Sequence, residues 1–193
     1  YKMYIQVTLP AVPVSGSEEF RWLNWLGHIL IDYVEIEIGG QVIDKHYGHW
    51  LHVWNELTQT AGHQSGYANL VGNVPKLVQC NAGEVPSVVL YIPLQFWFCR
   101  NPGLALPIIA LQYHDIKINA RFNEKDKCYH QSSTGRTPSS LSSAYLYVDY
   151  IYLDTEERRR FAQTSHEYLI EQLQFNSGTG TNLSSTSEKI KLP

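Results

Sequence analysis

The sequence predicts an all-β sandwich with short helices set into its connections. Three observations carry that prediction. Several stretches alternate apolar and polar residues with period two, glycine- and proline-rich turn signals separate them, and helical spacing is confined to short runs between them. Roughly seven or eight short strands fit this pattern, which favours stacked sheets over a parallel sheet wound with helices.

Residues 1–9 alternate cleanly, with Tyr1, Met3, Ile5, Val7 and Leu9 on one face and Lys2, Tyr4, Gln6 and Thr8 on the other. A strand already running at the first residue leaves room for an upstream partner outside the chain. Pro10 and Pro13 cannot donate to a ladder and end it. Ser15-Gly16-Ser17 reads as a loop, and the aromatic-rich Phe20–Ile31 leads into the next strand. There Val34, Ile36 and Ile38 oppose Tyr33, Glu35 and Glu37. Gly39-Gly40 accepts positive φ and suits a tight hairpin, with Gln41–Asp44 running back. The period then changes. Tyr47, Trp50, Leu51, Trp54 and Leu57 fall at i, i+3, i+4, i+7 and i+10, the apolar stripe of a helix.

Residues 62–76 have loop composition with room for one short helical turn. Residues 87–93, SVVLYIP, form a nearly continuous apolar run, expected as a strand covered on both faces. Phe96, Trp97 and Phe98 follow, and Asn101-Pro102-Gly103 is a strong turn signal. Leu111–Phe122 reads as a strand with Ile116, Ile118 and Ala120 on one face. The polar stretch 123–143 is expected to be a long exposed loop. Tyr145–Leu153 is a further strand, and Asp154 with Glu157 has capping-box spacing ahead of a helix over Thr155–Gln163. Tyr168–Phe175 alternates again. Residues 176–188, NSGTGTNLSSTSE, have the composition of a flexible linker, and Ile190–Pro193 reads as the start of another element.

Composition narrows the function. A chain of 193 residues, 44% hydrophobic and 17% charged, is long enough for one sizeable core. Thirteen Tyr and five Trp favour strands and buried contacts. The formal charge of -3 supplies no basic excess for direct nucleic-acid binding. No apolar run reaches the length of a transmembrane helix, about 18 residues or more. Cys80, Cys99 and Cys128 are too scattered for a zinc site and read as free thiols of a reducing compartment.

Several constellations bear on chemistry. His46, His49, His52 and Glu56 match neither the HExxH nor the HxH metal spacing, so no metal and no cofactor are expected. No GxSxG elbow frames a serine nucleophile, and Cys99 with His114 has no supporting context, so no enzyme is expected. Gly39-Gly40 is followed by no phosphate-loop pattern. Arg158-Arg159-Arg160 reads either as a solvated helix end neutralised by Asp154, Glu156 and Glu157, or as an ion-pair site between domains or subunits. Asn182-Leu183-Ser184 is a glycosylation sequon, outweighed by the reducing-compartment reading. Trp22, Trp25, Trp50, Trp54 and Trp97 are open as a sugar-stacking surface or as core.

Four strings carry more specific information: IGGQVIDKHYGHWLHVWNELT from Ile38, LQFWFCRNPGLALPIIALQYHDIKIN over 94–119, YVDYIYLDTEERRRFAQ over 147–163 and SHEYLIEQLQ over 165–174. In this order they resemble the major capsid proteins of nucleocytoplasmic large DNA viruses, of the phycodnavirus and iridovirus type. The resemblance implies a jelly-roll β-sandwich, the first of two in tandem, lacking its first strand or strands. It implies a structural protein whose subunits form homotrimers, the pseudo-hexagonal capsomers of an icosahedral shell. Implied partners are neighbouring capsomers and minor capsid proteins, near an internal viral membrane, in a virion assembled in the host cytoplasm. Residues 1–153 then form the first jelly roll, 154–167 a helical connector, and 168–193 the junction with a second. Subunit or domain contacts are expected from Trp50, His52, Trp54 and Asn55, from Arg100, Asn101, Pro102 and Gly103, and from Arg158, Arg159 and Arg160. A β-sandwich carbohydrate-binding module is the alternative, and a cupin-type enzyme stands third.

Overall fold

The backbone follows the period-two pattern. The computed structural model describes residues 1–13, 19–132 and 136–175. The expectations for Ser15–Ser17, 176–188, Asn182 and Ile190–Pro193 lie outside the described residues. Among the described residues the strands are β1 (Met3–Leu9), β2 (Phe20–Trp22), β3 (Ile31–Ile38), β4 (Gln41–Tyr47), β5 (Val88–Pro93), β6 (Ile116–Phe122), β7 (Tyr129–Gln131) and β8 (Ser143–Val148). The helices are α1 (Leu26–Leu30), α2 (Gly48–Thr58), α3 (Ala61–Val71), α4 (Pro75–Val78), α5 (Trp97–Arg100) and α6 (Thr155–Gln163).

The strands pair antiparallel in three sheets, ordered β5-β1-β8, β4-β3-β6 and β2-β7. Met3, Ile5, Val7 and Leu9 of β1 and Leu90 and Ile92 of β5 share one buried cluster with Val34 and Ile36 of β3. The two three-stranded sheets therefore enclose a single core. Each fully buried aliphatic side chain there contributes about 1.5–3 kcal/mol. The β3–β4 hairpin turns through Gly39 and Gly40, at φ +59° and +83°, as a primed two-residue turn requires. Asp154 caps α6, accepting the Glu157 amide at 2.8 Å.

Tertiary contacts redraw five expectations. On α2 the buried residues are Gly48, Leu51 and Asn55, while Leu57 is 75% exposed. The helix start packs so closely on α1 that a Cβ on Gly48 would overlap the carbonyl oxygens of His28 and Ile31, and this turns the helix away from its apolar stripe. Residues 61–71 form a three-turn helix where loop composition predicts one short turn. Tyr67 and Val71 bury one side of it, Gly62 and Gly66 face open space, and Gly72 closes its end at φ +80°. Strand β5 is covered on one face only, with Val89 and Tyr91 exposed on the other.

The stretch 123–143 is no open loop. Tyr129–Gln131 pairs with Phe20–Trp22, and Cys128 is buried. Arg136, 2% exposed, donates to the carbonyls of Pro13 (3.2 Å), Asn81 (2.8 Å), Val12 (3.4 Å) and Gly83 (2.7 Å). Finally, Tyr168–Phe175 joins no sheet despite its alternation. It lies against β4 and the α5 region as a strap: Tyr168 Oη donates to the Ala105 carbonyl, the Gln172 side chain to the Ile43 carbonyl, and the Leu173 amide to Asp44 Oδ1.

Candidate functional site

Two of the three expected contact groups meet, and the strap locks them together. Trp50 and Trp54, one turn apart on α2, approach with ring centroids 5.8 Å apart. The Arg100 guanidinium at the end of α5 lies 4.2 Å from the Trp54 ring, a cation–π contact. Arg100 also pairs with Glu171 of the strap. Asn101, Pro102 and Gly103 follow as an exposed turn, in which Asn101 Oδ1 accepts the Gly103 amide at 2.8 Å. The side-chain bond adds to the backbone bond from the Leu104 amide to the Asn101 carbonyl at 3.0 Å, so the turn is closed twice. Trp50, His52 and Trp54 are half-buried in this chain, so each retains surface for a partner.

Asn55 does not belong to that surface. Its side chain is 4% exposed and points under α2, because the buried face of the helix is rotated toward Gly48. Arg158, Arg159 and Arg160 stand apart on α6, fully on the outside. Among the described residues none of the three forms an ion pair within 4 Å, although Asp154, Glu156 and Glu157 stand at the start of the same helix. The cluster is a solvent-facing set of three cations.

The chemical constellations disperse on folding. His46 is buried on the inner sheet face, 2.9 Å from Asp44 and stacked on Phe96, whereas His49 is exposed and His52 packs against Trp25. Among the described residues no cluster of His, Cys, Asp and Glu can hold a metal ion. Burial pushes the Cys99 and Cys128 thiols up to about 11, opposite to the lowered range of a reactive thiolate. Trp22 and Trp97 are core residues and drop out of any sugar-stacking surface.

Sequence reasoning missed two surfaces. The outer face of the β5-β1-β8 sheet carries Val89, Tyr91, Tyr145 and Tyr147, all exposed, whereas the outer face of β4-β3-β6 is charged. There Lys45–Glu35, Lys117–Glu37 and Arg121–Asp32 pair across strands at 3.3–3.5 Å. The tyrosines alternate in β5 and β8 and were legible once the buried face was known. The second surface is a cleft of about 700 Å³ lined by Ile116, Ile118, Leu146, Val148, Ile151 and Phe161 among others. Beside it Tyr150 and Tyr152 stand exposed.

Such exposed aromatic and apolar faces, beside a preformed cation–π node, suit contacts with other chains. The family model for the N-terminal part of the major capsid protein matches residues 1–154. The chain belongs to this family. The major capsid protein of Pyramimonas orientalis virus is 54% identical over 193 residues, covering all of this chain and 45% of the relative. That of Phaeocystis pouchetii virus is 45% identical over 226 residues, covering 100% and 43%. Among solved structures, the PBCV-1 capsid protein VP54, fitted into a reconstruction of the virophage Sputnik, superimposes with a TM-score of 0.72 at 34% identity, covering 91% of this chain and 40% of that one. The sandwich is thus the jelly roll of the double jelly-roll capsid proteins. This capsid-family chain spans less than half the length of those relatives. They are named for a structural part, in keeping with the expectation of no enzymatic chemistry.

Proposed function

We propose that this chain is part of a viral major capsid protein whose subunits trimerise into pseudo-hexagonal capsomers of an icosahedral shell. The observation that carries the reading is the node of Trp54, Arg100 and Glu171, which sets Trp50 and the start of the Asn101–Gly103 turn beside one another, while His52 lies against Trp25 on the α1 side of the helix. Aromatic and arginine anchors of this kind concentrate binding energy at interfaces. An obligate interface of this class buries about 2,000 Å² or more in total. The tyrosine face of β5-β1-β8 and the exposed Arg158–Arg160 edge add further contact surface, toward neighbouring capsomers, minor capsid proteins or a second jelly roll.

The same reading takes 1–153 as the first jelly roll, 154–167 as a connector and 168–193 as the junction. It is supported by the family model ending at residue 154 and by the helix of α6 directly after it. It places the protein in the virion, assembled in the host cytoplasm near an internal membrane. Among the described residues no helix is long and apolar enough to cross a membrane.

Light scattering on the full-length protein tests it, with alanine in place of Trp50, His52 and Trp54, of Arg100–Gly103, and of Arg158–Arg160. A trimer that loses subunits in at least one set is expected. An oligomer that survives all three sets overturns the contact assignment.

A further inference from the structure

Helix α3 is lightly held. Its buried side chains are Tyr67 and Val71. The Tyr67 hydroxyl lies 2.7 Å from His28 Nε2 on α1, and the Trp25 amide donates to Asn73 Oδ1 at 3.3 Å. His28, 2% exposed, is walled in by rings from three directions. Trp25 stacks parallel at 5.6 Å, and His52 of α2 and Tyr67 of α3 tilt against it at 5.7 Å each. Trp25 does so from a left-handed backbone at φ +56°, a conformation that side-chain-bearing residues rarely adopt.

The pocket is built for a neutral imidazole. Nε2 is matched by Tyr67, while the buried Nδ1 meets no partner. An imidazolium would bring a second N–H without an acceptor and a charge directed at another histidine. Both are costly away from water. The surrounding titratable groups do not relieve this. From α2, Glu56 lies 4.0 Å from His52 Nδ1 at the exposed edge, and His49 is turned outward. From α3, His63 is exposed and bonded to Thr60 at 2.7 Å, and burial raises the Tyr67 hydroxyl above its ordinary range. Strand β5 contributes Leu90 and Ile92 to this side. Among the described residues His28 has no ion-pair partner.

We infer that the His28–His52 pair makes α3 an acid-released latch, whose protonation frees α3 from α1 while both sheets stay folded. Burial first, and charge on His52 second, hold His28 at about 4 against an ordinary 6.5. The opened form therefore binds more protons than the docked form, and the docked form loses stability as pH falls from 6.5 to about 4, with no further loss below. The opening constant rises on the order of 100-fold across that window. The inference stands on the ring cluster and does not require α2 to be a subunit contact.

Hydrogen exchange on the full-length protein, corrected for the intrinsic pH dependence of exchange, tests it. Peptides covering α3 should lose protection on the order of 100-fold between pH 7 and pH 4, while β1 and β3 peptides keep theirs. His28→Gln should abolish the loss, and His52→Gln, at a partly exposed position, should reduce it. If His28→Gln does not fold, His52→Gln decides. An unchanged profile in His52→Gln, or parallel loss of protection in β1, overturns the latch.

Discussion

Arg136 holds three segments with one side chain. Its guanidinium donates to carbonyls at residues 12 and 13, next to β1, and at residues 81 and 83, ahead of β5, from within a stretch whose composition is that of a loop. Charged donors to neutral carbonyls contribute about 1.5–3 kcal/mol each when buried, and carbonyls left without a partner lose that again. Arg136→Met should therefore destabilise the chain by about 3 kcal/mol or more, read as a lower urea midpoint at unchanged slope. Arg136→Lys should rescue little, because an ammonium lacks the fork geometry. Nothing in the sequence marks this residue. An arginine among Ser, Thr and Gly looks solvated until the carbonyls that surround it come from elsewhere in the chain. Asp44 and His46 carry the same lesson. They sit at strand positions of inward parity, two residues apart, and face each other at 2.9 Å inside the sandwich.

At the level of elements, strands were legible and helices less so. Period-two alternation in β1 and β3 states which face is buried, because a strand can present only two. The hairpin glycines likewise announce their own φ. Helix α3 escaped because Gly62 and Gly66 read as loop residues, yet both lie where an added Cβ meets open space. Alanine at either position should raise stability by about 0.5–1 kcal/mol through helix propensity and a less mobile unfolded chain. Gly48→Ala and Gly72→Ala should do the reverse. The first collides with the backbone of α1, and the second forces a Cβ into a left-handed residue 2.9 Å from Leu90. Thermal midpoints of the four variants, rising for two and falling for two, check the packing of α2 and α3 on α1.

Across the whole molecule the two sheets differ on their outer faces. One is braced by cross-strand ion pairs, the other is tyrosine-rich, and an apolar cleft opens beside Tyr150–Tyr152. An exposed apolar cleft binds amphiphilic dyes. The 193-residue chain should therefore enhance ANS fluorescence, and Tyr150→Ser with Ile151→Ser should reduce it. The unfolding free energy should change by no more than about 0.5 kcal/mol, because both side chains are exposed. A large loss of stability would mean that these residues belong to the core instead.

What the sequence determined by itself is local and periodic. Strand faces, the hairpin, the α6 cap and the Asn101 turn each depend on neighbours within a few positions, and the four family strings add the jelly roll. Tertiary structure alone decided which side of α2 is buried, that residues 61–71 coil into a helix, that Arg136 and the His28 cluster are interior, and that Trp54 meets Arg100. Those outcomes depend on groups far apart in the chain, and burial against a distant partner outweighs local propensities worth only a fraction of a kcal/mol per residue.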